Sequence, residues 1–309
     1  MRIVRTGRRC LSRFGALVAG LALALVGTLS PTGAVASAAS TAATSAPTEV
    51  AHTADGSVAY RVLGRGSPIV LITGFGASMD EWAPAFVDRL ARSHRVVLVD
   101  NAGVGETTAL PAPLSITAMA DQTSALMTSL HLGRSAVLGW SMGGLIAQTL
   151  AVTHRGQVSR LILAATQAGT GTALPVPTAA AATLTSGTPT QVLALLFPAD
   201  QPLALQSYVK GILSYPGFYL ALPAAKTQQN VAIAQWFAGA VPAGSAVRTL
   251  RLPTLVADGT ADALDPVAND HQLAHLIRGA QLALYPDAGH GFLFQDATAF
   301  VARIDRFLG

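Results

Sequence analysis

The sequence predicts an α/β fold in which helices flank a mostly parallel sheet and a helical cap is inserted late in the chain. Three observations support this prediction. Short apolar runs alternate with segments of helical spacing, which is typical of strands and helices joined by right-handed crossovers. A Gly-x-Ser-x-Gly pattern at residues 139–143 lies between an apolar run and a helical segment. A long stretch, residues 167–247, contains no run that resembles a core strand.

The first 36 residues have the pattern of a secretory signal peptide. Five arginines within residues 2–13 precede an uncharged apolar stretch at residues 14–29, and small residues suited to cleavage follow at residues 34–38. A transmembrane anchor is the alternative, but the apolar stretch is short for a membrane span. We therefore expect a secreted or cell-envelope protein with no stable membrane insertion after signal cleavage. Residues 37–48 are rich in Ala, Ser and Thr and are predicted to be a disordered lead-in.

Charge and cysteine content argue against nucleic-acid binding and against thiol chemistry. The chain has 20 basic and 16 acidic residues, but the predicted signal contains five arginines and no acid. After cleavage, 15 basic and 16 acidic residues remain, so no basic cluster is left to bind nucleic acid. The single cysteine, Cys10, also lies in the signal. The mature chain can therefore form no disulfide and has no thiol nucleophile.

The predicted main domain, residues 49–309, divides into elements in a regular order. A hairpin is predicted at residues 50–63, with its tight turn at residues 54–56. Apolar runs predict strands at residues 69–72, 96–99, 136–138, 161–164, 254–257 and 281–285. Helical spacing predicts helices at residues 82–91, 115–130, 145–151, 267–277 and 298–308. A loop as long as residues 167–247 would be unusual, so we interpret this stretch as a helical cap.

Ser141 is the predicted nucleophile. It lies at the centre of Gly139-Trp140-Ser141-Met142-Gly143, between a predicted strand and a predicted helix, which is the context of a nucleophile elbow. Such a turn strains the serine, and the glycines on either side let the strand and the helix approach closely. An ordinary glycine-rich turn is the alternative, and it would not require the partners that the rest of the chain supplies.

A serine hydroxyl needs a base to remove its proton and an acid to orient that base. His290 follows the last predicted strand, which places it on the same sheet edge as Ser141, and it is the predicted general base. Asp262 also follows a strand and is the preferred acid, with Asp265 and then Asp258 as alternatives. The three distant side chains of Ser141, Asp262 and His290 are therefore predicted to meet.

The negative oxygen of a tetrahedral intermediate needs preorganised hydrogen-bond donors. The backbone N–H of Met142, directly after the serine, is one predicted donor. The backbone N–H of Phe75, in the glycine-containing loop at residues 73–76, is the other. His271 and His275 lie four residues apart on one predicted helix, but no intervening glutamate completes a metal-binding pattern. We therefore predict no metal site.

Five sequence blocks follow one another in a fixed order. They are residues 71–76 with Trp82, the Asp-x-x-Gly-x-Gly-x-Thr turn at residues 100–107, residues 139–144, the stretch with Gly259 and Asp262, and Gly289-His290. With these blocks, the chain from about residue 50 to its C-terminus resembles the α/β-hydrolase superfamily, in its serine-nucleophile esterase and lipase-like branch. The resemblance implies an eight-stranded, mostly parallel sheet, a cap and no cofactor. Two departures are Thr73, where many members have histidine, and Ala102, where arginine is frequent.

These features predict a secreted serine hydrolase that cleaves carboxylic esters through an acyl-enzyme intermediate. Its expected partner is a small to medium apolar ester. A serine at the elbow disfavours the similar haloalkane dehalogenases and epoxide hydrolases, which have aspartate there. A cofactor-free haloperoxidase or perhydrolase, or a lipase, would use the same three residues, and a non-catalytic lipid-binding protein is the alternative from another class.

Overall fold

The structure is a computed structural model that describes residues 42–309, and its centre is an eight-stranded sheet. The strand order is β1-β2-β4-β3-β5-β6-β7-β8. The strands are β1 (Glu49–Thr53), β2 (Gly56–Leu63), β3 (Pro68–Ile72), β4 (Arg95–Val99), β5 (Ser135–Trp140), β6 (Val158–Ala164), β7 (Thr254–Gly259) and β8 (Gln281–Tyr285). The pairs β1–β2 and β2–β4 are antiparallel, and all the other pairs are parallel. The predicted mostly parallel sheet of eight strands is confirmed.

Helices connect most of these strands. They are α1 (Ala42–Ser45), α2 (Pro84–Leu90), α3 (Ile116–Ser129), α4 (Met142–Thr153), α5 (Thr178–Ser186), α6 (Pro189–Ala194), α7 (Pro202–Ile212), α8 (Pro223–Phe237), α9 (Pro242–Ala246), α10 (Ala268–Leu276), α11 (Phe292–Gln295) and α12 (Ala297–Leu308). Several begin with proline at the first turn, where its missing N–H costs no helical hydrogen bond. Ser115 caps α3, because its side chain accepts a hydrogen bond from Ala118 N–H.

The hydrophobic core has two halves, one on each face of the sheet. Successive side chains of a strand point to opposite faces. In β3, Ile69 and Leu71 pack in the half that includes α2 and α12, whereas Val70 and Ile72 pack in the half that includes α3, α4 and α10. All four side chains are fully buried. Burial on both faces explains why this strand is a continuous apolar run.

Helices α5 to α9 all lie between β6 and β7, in the segment predicted to be a cap. Tyrosine hydroxyls anchor this segment to the body of the domain: Tyr208 donates to the carbonyl oxygen of Glu81 (3.1 Å), and Tyr215 donates to that of Trp82 (2.9 Å). The Tyr208 ring also stacks on Phe294, with 4.7 Å between ring centroids. The cap is therefore held against the loop that follows β3 and against α11.

The structure corrects one prediction at the N-terminal end. Residues 42–45 form α1 rather than part of a disordered lead-in. The Ala43 side chain is buried in the core, and its N–H donates to Asp88 Oδ1 (2.8 Å), so tertiary contacts order a segment whose composition favours disorder. The predicted signal peptide (residues 1–36) and residues 37–41 of the predicted lead-in lie outside the described residues. Within residues 42–309, no helix has both the length and the apolar character needed to cross a membrane.

Candidate active site

Ser141 occupies a sharp turn between β5 and α4. Its φ is 56° and its ψ is −124°, a positive-φ conformation that L-residues rarely adopt. Two backbone hydrogen bonds hold the turn: Ser141 N–H donates to Ala164 O (2.9 Å), and Gly144 N–H donates to Ser141 O (2.8 Å). Strain of this kind costs about 1–3 kcal/mol and persists only where the surroundings enforce it. The side chain is partly exposed, so the turn presents the hydroxyl outside the core.

Two glycines make this turn sterically possible. A Cβ atom on Gly139 would lie 2.2 Å from Gly143 O, and a Cβ atom on Gly143 would lie 2.1 Å from Ile72 O. Both distances are far inside van der Waals contact. The Gly-x-Ser-x-Gly pattern is therefore required by the close approach of β5, α4 and the end of β3.

His290 and Asp262 form a buried hydrogen-bonded pair. His290 Nδ1 lies 2.7 Å from Asp262 Oδ2, and their side chains are 5% and 0% exposed. The other carboxylate oxygen, Asp262 Oδ1, accepts hydrogen bonds from the N–H groups of Leu264 (2.6 Å) and Asp265 (2.9 Å). These bonds fix the carboxylate, and the carboxylate in turn fixes the imidazole so that Nε2 is available for proton transfer.

The charged surroundings favour the protonated form of His290. Burial alone lowers the pKa of this imidazole, but the charge of Asp262, the hydrogen bond to it and the charge of Asp265 together raise the pKa above its ordinary value of 6.5. An imidazolium formed next to Asp262 is therefore stabilised. A general base needs this stabilisation, because it becomes protonated during the reaction.

Neither of the other two candidate acids hydrogen-bonds to the imidazole. Asp265 Oδ1 accepts a hydrogen bond from the side-chain amide of Asn269 (2.6 Å), and Asp258 Oδ1 accepts one from Gly259 N–H (2.7 Å). The structure thus pairs His290 with Asp262, the preferred candidate of the three.

The histidine loop is tied both to the serine turn and to the cap. The Trp140 indole N–H donates to His290 O (3.0 Å), and the two rings lie 5.8 Å apart. On the cap side, Gly291 N–H donates to Leu196 O (2.6 Å). The residue directly before Ser141 therefore connects the serine turn with the histidine loop, a role that the sequence analysis did not assign to Trp140.

The loop after β3, residues 73–76, lies against Ser141. A Cβ atom on Gly74 would lie 3.6 Å from Ser141 Oγ. The N–H of Phe75 has no acceptor among the described residues, and the N–H of Met142 belongs to the first turn of α4, where intrahelical acceptors are missing. The loop that contains Phe75 therefore borders the serine, and both predicted oxyanion donors have unused N–H groups.

A side-chain amide supports this loop from the body of the domain. Asn101 Nδ2 donates to both Thr73 O (3.1 Å) and Thr73 Oγ1 (3.2 Å). Thr73 stands where many α/β hydrolases have histidine, and here its hydroxyl receives the supporting bond. Ala102, at the position where arginine is frequent, is buried.

Three buried carboxyl groups lie next to Asp262. Ligand atoms of Asp258, Asp265 and Asp270 lie within 4.8 Å of one another, and this is the group among residues 42–309 whose spacing would suit a cation. Burial, followed by neighbouring acids, raises the pKa of Asp258 and Asp270 well above the ordinary value and that of Asp265 to about 7. If ionised, Asp258 Oδ2 and both Asp270 oxygens would have no donor from another described residue. We call these three residues the buried acidic cluster.

The comparison with known families agrees with this architecture. The family model described as "alpha/beta hydrolase fold" matches residues 67–297. The chain belongs to this family. The α/β-hydrolase relatives include 2-hydroxymuconate semialdehyde hydrolase of Pseudomonas sp. (strain CF600), which is 27% identical over 256 residues, covering 79% of this chain and 88% of the relative.

Two solved α/β-hydrolase structures have the same architecture. An alpha/beta hydrolase fold protein from Chitinophaga pinensis superposes with a TM-score of 0.73 at 24% identity, covering 86% of this chain and 98% of that one. The enol-lactonase from Burkholderia xenovorans LB400 superposes with a TM-score of 0.67 at 25% identity, covering 84% of this chain and 99% of that one. The fold and the named relatives together indicate a hydrolase.

Proposed function

We propose that this α/β hydrolase is an exported serine esterase that cleaves small to medium apolar carboxylic esters through an acyl-enzyme intermediate. The observation that carries the proposal is the buried His290–Asp262 pair, with its 2.7 Å hydrogen bond, on a loop bonded to the residue next to the strained Ser141. Nucleophile, base and orienting acid are the groups that acyl transfer to water requires.

Each group has a definite task in this reaction. His290 Nε2 takes the hydroxyl proton as Ser141 Oγ bonds to the ester carbonyl carbon, and the carbonyl oxygen becomes negative. The N–H groups of Met142 and Phe75 donate to that oxygen.

Two stages follow: the alcohol leaves, and the acyl-enzyme is then hydrolysed. The carbon–oxygen bond to the alcohol breaks, and the alcohol leaves with the proton from His290. A water molecule next gives a proton to His290 and bonds to the acyl carbon. The bond from that carbon to Ser141 Oγ then breaks, His290 returns the proton to Oγ, and the acid is released.

The composition of the cap supports an uncharged substrate. Residues 167–247 contain only three charged side chains, Asp200, Lys210 and Lys226. A cap of this composition offers few groups to recognise an ionic substrate, whereas apolar contacts are plentiful. The enol-lactonase relative supports ester cleavage, since a lactone is a cyclic ester.

The test is turnover of a p-nitrophenyl ester series of increasing acyl length. We expect the wild-type protein to prefer short to medium chains and Ser141→Ala to lose activity by a factor on the order of 10⁶. Ser245→Ala, an exposed serine in α9, is the matched control and should behave as wild type. Unchanged turnover in Ser141→Ala would refute the assignment.

The same series separates the other functions that this site could serve. Peracid formation from acetate and peroxide would indicate a perhydrolase, and a jump in rate on emulsified long-chain ester would indicate a lipase. A wild-type protein that neither turns over esters nor reacts with a fluorophosphonate would indicate a binding protein.

For export, we expect the N-terminus of the mature protein, measured by mass spectrometry, to begin near residue 37, and an intact N-terminus would contradict the proposed signal.

A further inference from the structure

The cap hydrogen-bonds to both backbone groups of one residue in the oxyanion loop. Gly76 N–H donates to Gln229 Oε1 on α8 (2.8 Å), and Gly76 O accepts a hydrogen bond from Ala221 N–H (3.1 Å). Gly76 directly follows Phe75, whose N–H is the proposed second oxyanion donor. The cap thus bonds to the loop at the residue next to that donor.

These bonds constrain the donor in a specific way. Asn101 fixes the start of the loop at Thr73, and Gln229 fixes its end at Gly76. Only Gly74 and Phe75 lie between the two anchors, and Gly76 has a positive φ of 70°. With both ends held, the direction of the Phe75 N–H is set by the position of α8. Without the Gln229 bond, the loop would be anchored at Thr73 and by the Ala221 N–H alone.

Helix α8 is itself firmly seated over this loop. The Lys226 stem lies against Gly76, since a Cβ atom on Gly76 would be 3.0 Å from Lys226 Cε. One and two turns beyond Gln229, Ala232 and Trp236 are fully buried, and the Trp236 indole donates to Gln167 O (3.2 Å). The helix can therefore transmit the position of the cap to the loop.

Burying the amide of Gln229 at this position costs free energy. Its side chain is fully buried, and its Nε2 has no hydrogen-bond partner among residues 42–309. Buried amides in proteins normally satisfy both their donors and their acceptor. Among the described residues, this side chain makes a single hydrogen bond, the one to Gly76 N–H.

We propose that Gln229 is a positioning residue that couples the cap to the oxyanion hole. It acts through Gly76 on the direction of the Phe75 N–H, so the cap contributes to stabilising the tetrahedral intermediate as well as to enclosing the substrate. This inference rests on the proposed esterase function and concerns the same site.

The test replaces the Gln229 side chain with one of similar volume that lacks the acceptor oxygen. Gln229→Met removes the oxygen that binds Gly76 N–H, and we expect kcat for a p-nitrophenyl ester to fall about 10- to 100-fold with KM changed less than about threefold, because a displaced oxyanion donor acts on the transition state. Gln229→Glu keeps an acceptor oxygen and should recover most of the lost kcat. Gln228→Met is the matched control, since the neighbouring Gln228 accepts from Leu114 N–H (3.2 Å), away from this loop.

A second readout separates positioning from a general effect on folding. An alkylboronic acid forms a tetrahedral anion on the serine, so its inhibition constant should rise in Gln229→Met by a factor similar to the loss in kcat/KM. Gln229→Asn, which keeps a buried amide but withdraws it by one methylene, should show the same pattern even if the methionine variant folds poorly. Wild-type kcat and boronic-acid affinity in Gln229→Met or Gln229→Asn would overturn the inference while leaving the esterase function intact. A wild-type protein without esterase activity would overturn both.

Discussion

Replacing Asp270 by asparagine should make the protein more stable at alkaline pH. Asp270 belongs to the buried acidic cluster, and burial, followed by the charge of Asp265, raises its pKa well above the ordinary value. In the unfolded chain the same carboxyl group titrates near pH 3.9. Between these two values the folded protein binds a proton at this site that the unfolded chain has lost, so stability falls as pH rises.

The expected size follows from this one proton. Each proton bound in excess by the folded state changes the free energy of unfolding by about 1.4 kcal/mol per pH unit. From about pH 5 to about pH 8, Asp270 should therefore lower the stability of the wild-type protein at up to this rate, for as long as the folded state keeps the proton. Asparagine does not titrate, and its amide can donate to Asp258. Asp258 and Asp265, whose pKa values burial also raises, remain in both proteins, so the prediction concerns the difference between the two curves.

The assay is urea unfolding of both proteins at several pH values across this range, followed by circular dichroism. We expect the free energy of unfolding of Asp270→Asn to exceed that of wild type by an amount that grows toward pH 8. Asp55→Asn, in the exposed turn of the β1–β2 hairpin, is the control and should follow the wild-type curve. Parallel wild-type and Asp270→Asn curves would refute the reasoning. Stabilisation of wild type, but not of Asp270→Asn, by millimolar CaCl2 would show that a cation rather than a proton neutralises the cluster.

Two further predictions test the site and the elbow. Asp262→Asn should lower kcat about 10⁴-fold. Asp265→Asn should retain activity and shift the acidic limb of the pH–kcat/KM profile to lower pH, because one of the charges that raise the pKa of His290 is removed. Equal losses of kcat in the two variants would contradict this prediction. Gly143→Ala should destabilise the fold by about 3 kcal/mol or more, because its Cβ would lie 2.1 Å from Ile72 O. Gly156→Ala, with no atom within 4 Å of its Cβ, should leave the melting temperature nearly unchanged, and similar melting temperatures for the two variants would contradict the steric argument.

The parts of the site that short sequence patterns encode were predictable. The elbow depends on glycines two residues from Ser141, and His290 and Asp262 each follow a strand, so local sequence places all three on one sheet edge. Strand positions were predictable for the same reason, since burial on both faces demands continuous apolar runs.

The remaining features depend on contacts that are distant in sequence. Gln229 lies 153 residues from Gly76, and nothing in the local sequence of α8 indicates that contact. Asp258 and Asp270 meet only because α10 packs against β7, and α1 is ordered by Asp88 although its composition favours disorder. Sequence periodicity reports which faces are buried, but it does not report which buried polar groups face each other.

The most direct test of the central claim is to map the residue that a fluorophosphonate modifies. Mass spectrometry of the wild-type protein should find the label on the peptide containing Ser141. Asp262→Asn should be labelled about 10⁴-fold more slowly, because its imidazole is no longer correctly oriented. Labelling of a different serine, or equal labelling rates in the two proteins, would contradict the claim that Asp262 and His290 activate Ser141.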